Sequence, residues 1–317
     1  MRYGILVFIC FALALVSCNS DDDNGTDVTP PSLLSDVAPE DDKTIQEFLN
    51  THFYNYEDFD TPPEGFDYKI VIDTIAGENA EKKSLMEDAE AFTINVSSSF
   101  LGLDAGEVDV PHTYYYIEVL KGGGGSPTYA DSTLVRYQGL GLDGTLFDEN
   151  QEFTWQVLSG YYRGYANGIS NMSAGTSDQI IDNPDGTYQI SNRGVGIIVM
   201  PSGLAAFNGS ISSIGTYAPV LFKVELGLFV GDTDSDNDGI PSIQEDVNGN
   251  GFLGDDNTDA DDETGLYSQV LPNYLDADDD GDGVSTRNEI SDDNGNIISP
   301  YPDADGDGTP DYLDPDN

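Results

Sequence analysis

The 317-residue sequence predicts an α+β protein that ends in an irregular, acid-rich repeat region. Three observations predict it. Apolar residues make up 38% of the chain, and most of its Tyr and Phe precede residue 231, which suffices for one cored domain. Within that part a helical period is followed by segments that alternate like strands. From Asp232 onward 26 acidic side chains stand against the single base Arg287. The formal net charge of −48 argues against a direct nucleic-acid binder, whose affinity would rest on Lys and Arg at phosphates.

Taken in chain order, Arg2 is followed by an almost unbroken apolar run from Ile5 to Val16. That run is too short to span a bilayer comfortably and suits a secretory signal, so residues 1–17 are read as a signal peptide. It ends in "LVSC", which resembles a bacterial lipobox and implies that Cys18 becomes the lipidated first residue of the mature protein. No second thiol would then remain, which excludes an internal disulfide. Residues 18–35 contain "NSDDDNGTDVTPPS", which buries no apolar surface and is expected to be a tether. Its "SDDD" resembles the acidic export signal of some Gram-negative lipoproteins. The expected location is therefore the outer membrane, through a lipid anchor, with exposure at the cell surface.

In residues 36–110, Asp41 or Asp42 is expected to cap a helix through "KTIQEFLNTHF". Ile45, Phe48, Leu49 and Phe53 share one face of it. "DYKIVIDTI" alternates like a strand, and Pro62 and Pro63 punctuate the connection before it. His52 and His112 are isolated, with no cluster spaced for zinc.

Residues 111–231 run through "YYYIEVL", "TLVRYQGLGLDGTLFDE", "FTWQVLSGYYRGYANGISNMSAG", "GVGIIVMPSGLAAF" and "IGTYAPVLFKVELGLF". In that order these blocks resemble an FKBP-type peptidyl-prolyl cis-trans isomerase, from Tyr114 to Val230. The resemblance implies a curved antiparallel sheet around one short helix, Tyr161 to Met172, with an apolar pocket between them. The pocket residues it implies are Tyr137, Phe147, Asp148, Phe153, Trp155, Tyr161, Tyr162, Tyr165, Ile214 and Phe222. It also implies that a backbone N–H near Tyr162 meets the substrate carbonyl. Such chemistry needs neither metal nor nucleophile, because no bond is broken. A twisted X-Pro amide is less dipolar than a planar one, so a dry aromatic cleft favours the transition state.

The chain departs from the family's pattern in several places. Ala206 stands where the family has tyrosine, beside Phe207. Gly215 and Thr216 replace the loop prolines after Ile214, and no arginine lies between Asp148 and Phe153 to pair with Asp148. An extra hairpin is expected at "DNPDGTYQISN", whose Asn-Pro-Asp-Gly is a turn signal.

In residues 232–317 a frame of acids recurs. Asp278, Asp280, Asp282, Gly283, Val284 and Glu289 occupy positions 1, 3, 5, 6, 7 and 12 of an EF-hand calcium loop. Asp234, Asp236, Asp238, Gly239, Ile240 and Glu245 repeat it, as do Asp303, Asp305, Asp307, Gly308, Thr309 and Asp314. Alternate carboxylates turn inward, position 7 offers its carbonyl, and position 12 closes a cage of hard oxygens suited to calcium. A weaker frame runs Asp246, Asn248, Asn250, Gly251 and Asn257. Pro241 and Pro310 exclude EF-hand helices after two of the loops, so the region resembles thrombospondin type 3 repeats, whose calcium ions are structural.

The functional expectation is a peptidyl-prolyl isomerase or chaperone of exported, proline-containing polypeptides, carried on a lipoprotein with calcium-stabilised repeats. The alternative is a non-catalytic peptide-binding or adhesive module built on the same cleft and repeats.

Overall fold

The computed structural model describes residues 30–316 apart from Asp185, Ser212, Asp262 and residues 264–269. The signal segment, Cys18 and the acidic part of the tether lie outside the described residues.

The first helix, α1 (Leu34–Thr51), starts before the expected cap. Asp41 and Asp42 lie inside it. Leu33, at the cap position, has no capping side chain, and the Glu107 carboxylate takes that role by accepting from the Leu34 and Ser35 N–H groups at 2.6 and 3.0 Å. Buried Asp41 instead accepts from the Ser202 N–H and hydroxyl at 2.7 and 2.6 Å, and so caps the short turn Ser202–Leu204. Strand β1 (His52–Tyr54), helix α2 (Tyr56–Asp60) and strand β2 (Ile72–Thr74) follow, with β1 and β2 paired antiparallel.

Six strands then build the main sheet: β3 (Glu90–Val96), β4 (Val110–Leu120), β5 (Ser132–Gly141), β6 (Leu146–Val157), β9 (Gly194–Met200) and β10 (Val220–Val230). Their order is β3-β4-β9-β10-β5-β6, and every pair is antiparallel. Between β6 and β9 come helix α3 (Arg163–Ser170) and the expected extra hairpin, β7 (Ile180–Asp182) with β8 (Tyr188–Ile190). Helix α3 is shorter than the expected span, because Tyr161 and Tyr162 precede it and the Met172 N–H turns back to the Ile169 carbonyl at 2.9 Å.

Both faces of this sheet are covered. Successive side chains of a strand point to opposite faces, and β9, "GVGIIVM", is buried at all seven positions. On one face Tyr114, Tyr116, Ile198, Met200, Phe222 and Val224 pack with Tyr165 and Ile169 of α3. Gly164 and Gly168 bring this helix close: a Cβ on Gly168 would lie 2.6 Å from the Ile198 side chain. On the other face Tyr115, Ile117, Val195, Ile197, Val199 and Leu221 pack with Ile45 and Leu49 of α1. Each fully buried aliphatic side chain contributes about 1.5–3 kcal/mol. Residues 36–110 thus give the sheet an edge strand, β3, and the cover of its second face.

Beyond β10 regular structure is sparse: four single turns (Ser242–Glu245, Leu253–Asp255, Asn273–Leu275, Asp311–Leu313) and α4 (Thr286–Glu289). A small apolar cluster of Ile240, Ile290 and Tyr312, with Tyr301 and Leu313 against it, holds the acid loops together. Among the described residues no helix is long and apolar enough to cross a membrane.

Candidate functional site

Seven of the ten implied pocket residues meet in one cleft of about 140 Å³, a few water volumes: Tyr137, Phe147, Asp148, Tyr161, Tyr162, Tyr165 and Phe222. Tyr165, on α3, forms the floor and is fully buried. Its ring lies 4.8 Å from Phe222, 5.8 Å from Tyr161 and 5.9 Å from Tyr137, and Phe147 meets Phe222 edge-on at 5.6 Å. These are favourable aromatic geometries, and they leave ring faces and edges to line the cleft. Tyr161 and Tyr162 are partly exposed at the rim. The Tyr162 N–H, just ahead of α3, has no hydrogen-bond acceptor among the described residues.

The hydroxyls of Tyr137 and Tyr165 are both partnered. Without an arginine, Asp148 accepts from the Tyr137 hydroxyl at 2.8 Å. The Tyr165 hydroxyl donates to Gln156 at 2.9 Å. Burial first, and for Tyr137 the Asp148 hydrogen bond as well, raises the pKa of both phenols, so both hold their protons at neutral pH. The site presents hydroxyls, rings and the Asp148 carboxylate.

Three implied residues are outside the cleft. Thr154 of β6 faces Val135 of β5, and Gln156 faces Thr133, so these point inward while Trp155, opposite Leu134, points away and is 51% exposed. Phe153 shares that outer side, stacked on Tyr188 of the extra hairpin at 6.1 Å with the Arg136 guanidinium 5.2 Å from its centre. Ile214 sits in the turn before β10, against Gly141 at the end of β5. Phe207 does not enter the cleft: it is buried in the core, edge-on to Tyr217 at 5.0 Å. Gln156 is the buried polar residue of the site that the sequence reading missed; its place between Trp155 and Val157 is the signal.

A larger cavity of about 310 Å³ opens on the outer face, lined among others by Tyr68, Arg136, Lys223 and Glu225. Within it Glu225 accepts from Arg136 Nε and Nη2 at 2.8 Å each and also pairs with Arg193.

The acid loops gather their carboxylates as the spacing implies. Asp234, Asp236 and Asp238 converge, as do Asp278, Asp280 and Asp282, and Asp303, Asp305 and Asp307, each set with oxygens within 4.8 Å of one another. The position-6 glycines have the positive φ that favours glycine, +111° at Gly239, +94° at Gly283 and +104° at Gly308. Ile240 is buried and Val284 and Thr309 lie at the corresponding bends, their N–H groups donating to Asp238, Asp282 and Asp307 at 2.7, 2.6 and 2.7 Å.

Closure differs between loops. Glu245 is buried beside Asp238 and also beside Asp279, a residue outside the frame, and neither Glu245 nor Asp279 has a partner for either oxygen. Burial first, then neighbouring carboxylates, pushes Glu245 and Asp279 up to about 9. The same causes push Asp236 and Glu289 up to about 7 and Asp238 to about 6. Buried, unpartnered carboxylate oxygens are costly, and a divalent cation among them removes both the desolvation and the repulsion. Hard oxygens without thiol or imidazole fit calcium in kind. The acids of the third loop are exposed, and Asp311 accepts from the Ala304 N–H at 2.7 Å. A further group, Asp259, Glu263 and Asp276, lies outside every frame.

Residues 235–302, about a fifth of the chain, match a protein family described as BamM C-terminal, and not a thrombospondin repeat. No curated protein matches the sequence. Among solved structures, a peptidyl-prolyl cis-trans isomerase from Pseudomonas syringae pv. tomato is similar at 23% identity over 37% of this chain and 74% of that one, with a TM-score of 0.30. FkpA from Escherichia coli is similar at 22% identity over 48% of this chain and 55% of its own, with a TM-score of 0.31. The N-terminal domain of FKBP42 from Arabidopsis thaliana is similar at 16% identity over 37% of this chain and 86% of that one, with a TM-score of 0.29. Likeness of that degree carries no argument about activity. The architecture itself, an antiparallel sheet against one short helix with rings between, agrees with what the FKBP resemblance implies.

Proposed function

We propose that the cleft binds proline-containing segments of exported polypeptides and accelerates their cis-trans isomerisation. The observation that supports this reading is the convergence of Tyr137, Phe147, Tyr161, Tyr162, Tyr165 and Phe222 on one small cleft in which the Tyr137 and Tyr165 hydroxyls are turned to Asp148 and Gln156. A pyrrolidine ring held against Tyr165 and Phe222 would leave its preceding carbonyl near the Tyr162 N–H, in surroundings too apolar to favour the more dipolar planar amide. In this reading the domain travels on a lipoprotein anchored through Cys18, at the outer membrane and facing the cell exterior. The acid loops hold structural calcium through Asp234, Asp236, Asp238 and Glu245, Asp278, Asp280, Asp282 and Glu289, and Asp303, Asp305, Asp307 and Asp314. The test is NMR exchange on proline peptides with the full chain lacking its signal: acceleration that drops in Phe147→Ala supports the reading, and no acceleration with several residues before proline overturns it.

A second reading is favoured by one observation. Asp148 bonds Tyr137, and Trp155 and Phe153 lie outside, so fewer rings line the cleft than the resemblance implies, which suits holding a peptide without accelerating its exchange. Binding of the same peptides with unchanged exchange rates would select it.

A further inference from the structure

Residues 246–256 lie between the acid-rich loops and carry fewer charges, yet they fold in the same way. Asp246 accepts from the Asn250 and Gly251 N–H groups at 3.0 and 2.8 Å. The Asn248 side-chain oxygen accepts from the Asn250 N–H at 2.9 Å, and that of Asn250 from the Phe252 N–H at 2.7 Å. Loop geometry alone makes no site. The independent observation is Asp256, which is 6% exposed and whose Oδ2 has no partner among the described residues. Its Oδ1 accepts from the Asn248 backbone and side-chain nitrogens at 3.2 and 2.9 Å, which fixes the carboxylate at the loop. Asn257, the twelfth residue of the frame, donates its amide nitrogen to Glu263 at 2.8 Å and to the Leu271 carbonyl at 2.6 Å, and its buried side-chain oxygen has no partner among the described residues.

We propose that Asp246, Asn248, Asn250 and Asp256 form a further divalent-cation site, filled by calcium, that fastens the acid-rich region to the helix beside the aromatic cleft. Two carboxylates and two amide oxygens, with the Phe252 carbonyl at the position-7 bend, make a hard-oxygen set whose two negative charges cancel those of one calcium ion. Near neutrality suits its surroundings, which are those of an interface. The Tyr129 hydroxyl donates to Asp246, and the Arg163 guanidinium donates to the Asn250 carbonyl at 3.3 Å. Arg163 also lies 4.9 Å from the centre of the Phe252 ring, which packs on Phe100 at 4.8 Å. Arg163 opens α3 and directly follows Tyr161 and Tyr162 of the cleft. An ion that closes the loop therefore fixes Asn250 and Phe252 under that helix end. Without it, Asp256 and Asp246 face each other with an uncancelled charge and the contact loosens.

The inference rests on calcium being the ion of the other loops, and the experiment separates the two. In equilibrium dialysis of the full chain with radioactive calcium, Asp246→Asn and Asp256→Asn should each lose one bound ion. Hydrogen exchange over residues 163–170 should slow on adding calcium to the wild type, and not in Asp256→Asn. A chain that binds no calcium at all overturns the calcium reading of the three loops. Calcium bound in unchanged number by Asp256→Asn overturns this site alone. Equal slowing of exchange in wild type and Asp256→Asn overturns the fastening.

Discussion

The two halves of the molecule bury polar atoms in opposite ways. In the sheet domain Asp41 accepts two bonds from Ser202, Tyr165 bonds Gln156, and Glu225 answers Arg136 and Arg193. In the acid-rich region Asp236, Asp238, Glu245, Asp279 and Asp280 keep buried oxygens that nothing among the described residues satisfies. The first leaves only His112 Nε2 and Arg163 Nε unmet among its described buried side-chain atoms, and its entropy cost is offset by apolar burial on both faces of the sheet. The second has three buried apolar side chains in its cluster, and in the proposed reading a cation completes it. Stability of one half should follow mutation of apolar residues, and stability of the other should follow the concentration of an ion.

The largest expected effect is that of chelation. Removing calcium should expand residues 232–316 and abolish their ordered signal, while the sheet domain still melts cooperatively. Small-angle scattering with circular dichroism, across calcium from micromolar to about 10 mM, measures it, a range set by extracellular affinities. Dimensions constant over that range would make the two regions alike and remove the contrast.

The second effect is a dependence on pH of opposite sign with and without calcium. The raised carboxylates, Glu245 and Asp279 near 9, Asp236 and Glu289 near 7 and Asp238 near 6, favour the metal-free fold when protonated. Their contribution is therefore complete below the ordinary carboxylate range and is lost as pH rises through about 6 to 9. Calcium binds the ionised form, so its affinity should fall on acidification through the same window. Metal-free protein should compact between pH 9 and 5, and calcium-loaded protein should release its ions. Scattering at both ends of that range, with and without calcium, checks the sign. Expansion of the metal-free chain on acidification would mean that the carboxylates are solvated.

The legibility of the two halves also differs. Spacing alone identifies the acids of the three loops, because ligand geometry repeats at fixed offsets and the position-6 glycines take positive φ. It does not identify Asp279 or Asp256, since each reaches its partners through folding of the chain between loops and not by a count along it. In the sheet domain, the block order locates seven cleft residues and fails at Phe153 and Trp155. There β6 is irregular against β5, with Tyr137 opposite Asn150 but Val135 opposite Thr154, and such an irregularity decides which residues face inward. The helix start was hidden for a similar reason: its capping carboxylate, Glu107, lies 73 residues from Leu34.

A third, smaller effect separates floor from wall in the cleft. Tyr165→Phe removes the hydroxyl bonded to Gln156 and keeps the ring, so it should cost about 1–3 kcal/mol by leaving a buried amide oxygen unsatisfied, with the peptide site intact. Phe147→Ala should cost less stability, because Phe147 is only partly buried, and should weaken peptide binding more. Denaturant melts and peptide titrations on both variants measure the difference. If Phe147→Ala bound peptide as well as the wild type, the cleft would be core only.

The smallest expected effect tests where the two regions touch. Arg163 is the joint: its guanidinium lies 5.3 Å from the Phe100 ring centre and 4.9 Å from that of Phe252, and it donates to Asn95 on one side and to Asn250 on the other. Two stacked rings and two carbonyls suit a planar, five-donor cation, and a lysine would keep the charge while losing the plane and the fork. Arg163→Lys should therefore cost about 0.5–2 kcal/mol, the range of a stacked cation, and that cost should fall on the contact and not on either region. Without calcium the acid-rich side is already loose, so the substitution should change the melting of the sheet domain in calcium and leave it nearly unchanged in chelator. A loss of equal size in both conditions would place Arg163 within the sheet domain alone, through Phe100 and Asn95, and the two regions would then be joined only by the chain.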